Sequence, residues 1–128
     1  MYYVAIVDGG GGEASGTRCY CSGHLSCNGR EREWHYELPE WCTTSNMAEY
    51  VAVIAALENI KQETQRGQAT VLIRSDSKLV VMQCQKKWKV KARHLRRFRS
   101  KVLELMGHFK EVVFEWTPRD EIEMVLGH

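Results

Sequence analysis

Residues 43–58 read TTSNMAEYVAVIAALE. The stretch opens on hydroxyl and amide residues suited to capping a helix N-terminus. It then carries Ala48, Val51, Ala52, Ala55 and Ile60 at helical spacing. That spacing predicts a helix over about residues 45–65, with Gly67 placed to end it. Glu49 falls close to the cap, in the expected first turn. A carboxylate there is favoured by the helix dipole, which would make it a structural charge. The alternative is that it faces a metal together with acids brought in from neighbouring strands.

Two other stretches favour the alternative. Tyr2–Val7 (YYVAIV) is aromatic and β-branched and reads as a strand, ended by Asp8 and followed by four glycines, Gly9 to Gly12, in an expected turn. Ala69–Arg74 (ATVLIR) repeats the design and ends in Ser75-Asp76-Ser77. Strands joined through a crossover helix run parallel, so Asp8 and Asp76 should emerge at one end of adjacent strands. A helix starting near that end puts Glu49 beside them. Three crowded carboxylates repel one another unless cations intervene, which points to a divalent-metal site. No GxxxxGK pattern supports a phosphate-gripping loop instead.

Thr17–Leu25 and Glu31–Leu38 read as two further strands turned at Cys27-Asn28-Gly29-Arg30, so the chain should begin as a three-stranded antiparallel meander. Lys78–Gln85 reads as a short helix. A longer helix follows through His108, with Leu95, Phe98, Val102, Leu105 and Met106 inward, and Glu111–Trp116 is the last strand. The expected fold is α/β: a five-stranded mixed sheet flanked by helices, forming a single domain over residues 1–128.

The 128 residues are 44% hydrophobic and 27% charged, ordinary for a globular domain. No apolar run approaches a membrane span, and no basic-then-apolar leader is present. Five cysteines, an odd number without framework spacing, favour free thiols in a reducing, cytoplasmic setting. Cys19, Cys21, His24 and Cys27 have soft-ligand character. Zinc would need all four to converge, however, and ordinary strand cysteines are preferred. The net charge of +2 is modest but unevenly spread: Lys86 to Lys101 holds nine of the eighteen Lys and Arg and no acid. One reading is a solvated helix face. The other is a polyanion track in which Trp88, Lys89 and Lys91, with His94 and Phe98, meet phosphate, sugar and base surfaces.

With these residues in place, the chain resembles the type 1 ribonuclease H family in its compact form. YVAIVDGG, TSNMAEYVAVIAALE, LIRSDSKLVVMQ, WKVK and the late FEWTPR match that family's motifs in order and spacing across essentially the whole chain. The resemblance implies hydrolysis of the RNA strand of RNA–DNA hybrids by a monomer using two Mg²⁺ or Mn²⁺ ions. It implies that Asp8 bridges both ions while Glu49 and Asp76 hold one of them. Glu49 and backbone near Gly9 would read ribose 2′-hydroxyls. Thr44 would grip a DNA-strand phosphate and Asn46 would reach the minor groove. Ser75 and Ser77 could bind substrate or simply shape the strand end, and Arg119 could be structural or face substrate.

The sequence departs from the family at its end. The family usually continues P-R-x-x-N-x-x-A-D, whereas here Ile122, Val125 and Leu126 stand at the Asn, Ala and Asp positions. Glu123, ahead of Glu121 and Asp120, is the candidate replacement for the fourth acid, and His128 is a conceivable ligand. Otherwise the site works with three acids, or the protein has become a nucleic-acid-binding module with weakened or absent cleavage. A cysteine/zinc interaction module is a third, weaker possibility.

Overall fold

The computed structural model describes residues 1–128. Its elements are β1 (Tyr2–Gly12), β2 (Thr17–Cys27), β3 (Arg30–Glu37), α1 (Ser45–Gln62), β4 (Thr70–Ser75), α2 (Lys78–Cys84), α3 (Arg93–Met106), β5 (Glu111–Trp116) and α4 (Arg119–Leu126). The strands form one mixed sheet in the order β3-β2-β1-β4-β5. β1 pairs antiparallel with β2 and β2 antiparallel with β3, while β1–β4 and β4–β5 are parallel. The mixed five-stranded α/β architecture is the expected one. No helix is long and apolar enough to cross a membrane.

Tyr3, Ala5 and Val7 alternate toward one face of β1 and are buried. Above that face lies α1, which is buried on nearly all sides: Met47, Ala48, Ala52, Val53, Ala56, Leu57 and Ile60 are all enclosed. A helix apolar around most of its circumference belongs between layers. Here α3 packs outside it, with Phe98 stacked on Tyr50 at 6.4 Å between ring centroids. The last helix, α4, closes the opposite face through fully buried Ile122, which shares a small cavity with Ile6.

Three local expectations are corrected. β1 does not end at Asp8 but runs through the glycines, with Gly9 and Gly10 paired to Cys21 and Tyr20 before a register shift between Gly10 and Gly12. Glycines have no side chain to show period-2 alternation, so the sequence gives no strand signal there. Only Gly11 and Gly12, with φ of 85° and 107°, need glycine's left-handed freedom. Next, α1 stops at Gln62, capped at Glu63, so Gly67 serves a later turn and does not terminate the helix. Finally, Glu49 is the fifth residue of α1 and no acid occupies the first turn, which removes it from the strongest reach of the helix dipole. The cysteines and His24 form no cluster. Cys19 bonds the carbonyl of Cys42 at 3.0 Å, whereas His24 pairs with Glu31 at 3.2 Å.

Gly9 sets the distance between sheet and helix. A Cβ there would lie 2.4 Å from the Ala48 carbonyl carbon and oxygen and 2.6 Å from the Glu49 nitrogen, all backbone atoms. Gly9→Ala should therefore push α1 off β1 and cost about 2 kcal/mol. The check is a thermal or denaturant melt against wild type. An unchanged melt would show that this close approach carries no energy.

Candidate active site

The C-terminal half of β1 delivers Asp8, the end of β4 delivers Asp76 and the second turn of α1 delivers Glu49. One carboxylate oxygen from each lies within 4.8 Å of the others. The motif residues around them hold the arrangement. Thr44 caps α1 by accepting the Met47 N–H at 3.2 Å. The Gly9 N–H donates to Glu49 Oε1 at 3.0 Å, and the Ser75 hydroxyl donates to Oε2 at 3.4 Å. Ser77 caps α2 by accepting the Val80 N–H at 3.3 Å. The two serines that flank Asp76 thus tie down the acid site and the following helix.

Asp8 is 1% exposed and Glu49 8% exposed. Burial, followed by the charges of Asp8 and Asp76, pushes the Glu49 carboxyl up from 4.5 to about 9. Asp76 is likewise raised, by burial and then by Asp8, against the opposing pull of Arg119. The cluster therefore lacks positive charge. Arg119, the first residue of α4, supplies part of it: Nη1 donates to Asp8 Oδ1 at 2.8 Å and to Asp76 Oδ2 at 3.3 Å. Its own pKa is raised because the attraction of Asp8 and Asp76 outweighs the lowering effect of burial. Three oxygen donors around a point that already attracts a guanidinium suit a hard divalent cation such as Mg²⁺ or Mn²⁺.

Glu123 is not brought into the cluster. It is half-exposed and accepts from Arg119 Nε at 3.1 Å, orienting the arginine instead. Asn46 is exposed beside the cap on the first turn of α1. Trp88, Lys89 and Lys91 are exposed on the loop between α2 and α3, while Val90 between them is buried and anchors that loop. Trp88 is 42% exposed and does not belong to the core.

Several contributing residues carry no signal in the sequence. Buried Gln83 accepts from Tyr50 Oη at 2.6 Å and donates to the Lys89 carbonyl at 3.3 Å. It thereby links the Glu49-bearing helix to the basic loop, which Arg96 also ties down through the Val90 carbonyl at 3.1 Å, while Arg99 joins α3 to α2 through the Gln83 carbonyl at 3.1 Å. Tyr20 donates to Asp8 Oδ2 at 3.0 Å. These bonds join residues on separate elements, and no local pattern announces them. A larger concavity, about 690 Å³ and lined by Met1, Tyr3, Arg32 and Glu63 among others, contains none of the three acids.

A family model described as Reverse transcriptase-like matches residues 24–126. The chain belongs to that family. Its ribonuclease H-like fold is shared with RNase H1 from the halophilic archaeon Halobacterium salinarum NRC-1, at 28% identity and a TM-score of 0.83 over 98% of this chain and 94% of that one. LC11-RNase H1, isolated from compost and solved in complex with an RNA/DNA hybrid, gives a TM-score of 0.80 at 26% identity, covering 95% of this chain and 89% of that one. The bifunctional protein Rv2228c of Mycobacterium tuberculosis is 36% identical over 76 residues, 59% of this chain and 20% of that protein. The match thus spans about a fifth of the length of that curated relative. Family and neighbours together support a ribonuclease H-like function.

Proposed function

We propose that the protein is an endonuclease that hydrolyses the RNA strand of RNA–DNA hybrids with the help of two divalent ions, Mg²⁺ or Mn²⁺. The observation that carries the reading is the convergence of Asp8, Glu49 and Asp76 from three separate elements onto one point, at the cost of raising the pKa of two of them. Bound ions would supply an activated water and a cation at the leaving oxygen. Asp8 is the central acid of the site, with one carboxylate oxygen facing Arg119 and the other facing Tyr20. Glu49 and Asp76 would hold one cation between them, and Gly9 and Ser75 keep the Glu49 carboxylate aimed. Arg119 offsets part of the negative charge through its bonds to Asp8 and Asp76.

The hybrid lies along the face that carries the first turn of α1 and the basic loop. Thr44 and Asn46 meet it on one side, and the exposed Trp88, Lys89 and Lys91 on the basic loop meet its phosphates and sugars. Replacing both Lys89 and Lys91 with Ala should weaken hybrid binding and reduce the slope of log affinity against log salt by about 2, one unit for each phosphate no longer neutralised. A salt titration by anisotropy reads this directly. An unchanged slope would place the substrate elsewhere.

A second reading, a binding module with weak or no cleavage, is favoured by Leu126 at the fourth-acid position. Incubating a labelled RNA–DNA hybrid with the protein in Mg²⁺ and in Mn²⁺ separates the two. Cut RNA supports the nuclease. Intact hybrid that binds with a strong salt dependence supports the module.

A further inference from the structure

On the side of Asp8 away from Arg119, the sheet carries a row of polar side chains. Asp8 is directly opposite Ser22, and Ser22 directly opposite His35, so all three project from one face across β1, β2 and β3. Over this row stands His128. Gly127, at φ 81°, ends α4 in the left-handed conformation and bonds the Glu123 carbonyl at 2.7 Å, turning the chain back across the sheet. The His128 ring is then held edge-on by Tyr20 at 5.8 Å and His35 at 6.0 Å, and these two rings stack on each other at 5.4 Å. Its Nε2 sits 2.9 Å from Ser22 Oγ and 3.4 Å from Asp8 Oδ2.

Leu126, where the family usually places its fourth acid, lines a cavity of about 250 Å³ with Ser22, His35 and His128. The apolar residue is therefore next to the right place, and the side chain two positions later is the one that reaches Asp8. We propose that His128, through Nε2, is the ligand that completes a second cation position on Asp8, in place of the missing carboxylate. Two donors about 2.1 Å from a shared ion, at angles between octahedral and tetrahedral, lie roughly 3.0–3.4 Å apart. The observed separation of Nε2 from Asp8 Oδ2 is 3.4 Å. His128 stands outside the three-acid group, so the position it completes shares only Asp8 with that group. A nitrogen donor favours Mn²⁺ over Mg²⁺, which prefers all-oxygen surroundings. This ligand therefore biases the site toward Mn²⁺.

The inference rests on the metal-dependent reading above, and its test does not use cleavage. Mn²⁺ is titrated into the full chain and followed by electron paramagnetic resonance, with spin-echo modulation reporting nitrogen-14 coupling to the bound ion. Wild type should show coupling from a coordinated imidazole. His128→Asp should still bind Mn²⁺ but without that coupling, and its ratio of Mn²⁺ to Mg²⁺ affinity should fall. His128→Ala should weaken Mn²⁺ binding at this position by at least the roughly tenfold that loss of an outer-shell partner costs. His128 is on the surface, and circular dichroism melts of both variants confirm that they fold. Mn²⁺ bound to wild type without nitrogen coupling, or coupling that survives His128→Asp, overturns the inference and leaves the three-acid site standing. Failure of wild type to bind Mn²⁺ at all overturns both.

Discussion

Asp8→Asn is expected to reduce cleavage of the hybrid's RNA strand by roughly 10³-fold or more, about 4 kcal/mol of transition-state stabilisation, while hybrid binding is retained or tightened. Asp8 is the acid on which the whole site converges. One oxygen accepts from Arg119, the other faces Tyr20 and His128, and Glu49 and Asp76 lie within reach on the first side. Asparagine keeps the size and one acceptor oxygen but removes the charge that a cation requires. Folding should survive, because the removed negative charge is one of those crowding Glu49 and Asp76. Binding should survive as well, because a cleft that receives phosphates loses an anion and leaves Arg119 less tightly held. The measurement pairs single-turnover cleavage with anisotropy on the same preparation. Equal cleavage by Asp8→Asn and wild type would remove Asp8 from the chemistry. No cleavage by wild type, with tight binding by both, would move the protein to the binding-module reading.

How much of this is legible in the sequence depends on the range of the interactions concerned. The order of strands and helices follows from period-2 and period-3.6 patterns that each segment carries within itself. β5 matches its expected limits, and the inward residues of α3 recur at three and four positions, as a one-sided helix requires. The three acids are legible because each sits beside a recognisable element and parallel pairing brings strand ends together. The glycine run is not, because residues without side chains give no alternation, and what keeps Gly9 and Gly10 in the sheet is pairing with Cys21 and Tyr20. The helix end at Gln62 is hidden because Glu63 and Gln65 favour helix locally, whereas Glu63 leaves the helical conformation at φ −112° and the Thr64 hydroxyl takes the Ile60 carbonyl. Tyr20, Gln83 and the role of Glu123 depend on bonds made only after folding. Gln83 is a polar residue in an apolar helix until Tyr50 and the Lys89 carbonyl are seen on either side of it.

The second large effect concerns stability without metal. Glu49→Gln should stabilise the metal-free protein by several kcal/mol at pH 8 and by little at pH 4. Folding holds the Glu49 carboxyl at about 9, against an ordinary 4.5, because of burial and the neighbouring Asp8 and Asp76 charges. The unfolded chain releases that proton more readily than the folded one. The stability that protonated Glu49 contributes is therefore complete below pH 4.5 and is lost as pH rises through about 9. Glutamine stays neutral throughout and escapes this loss. Its carbonyl can accept the Gly9 N–H, and the Ser75 hydroxyl can turn to accept from its amide. Divalent cation should act unequally on the two proteins. It stabilises wild type at pH 8 by binding the folded state alone, and stabilises Glu49→Gln less because one ligand has lost its charge. Melts at pH 4 and pH 8, each with and without Mn²⁺, give all four comparisons. A wild type whose metal-free stability does not decline between those pH values would mean that the three carboxylates are not crowded in solution. That outcome would undercut the reason for placing a cation among them.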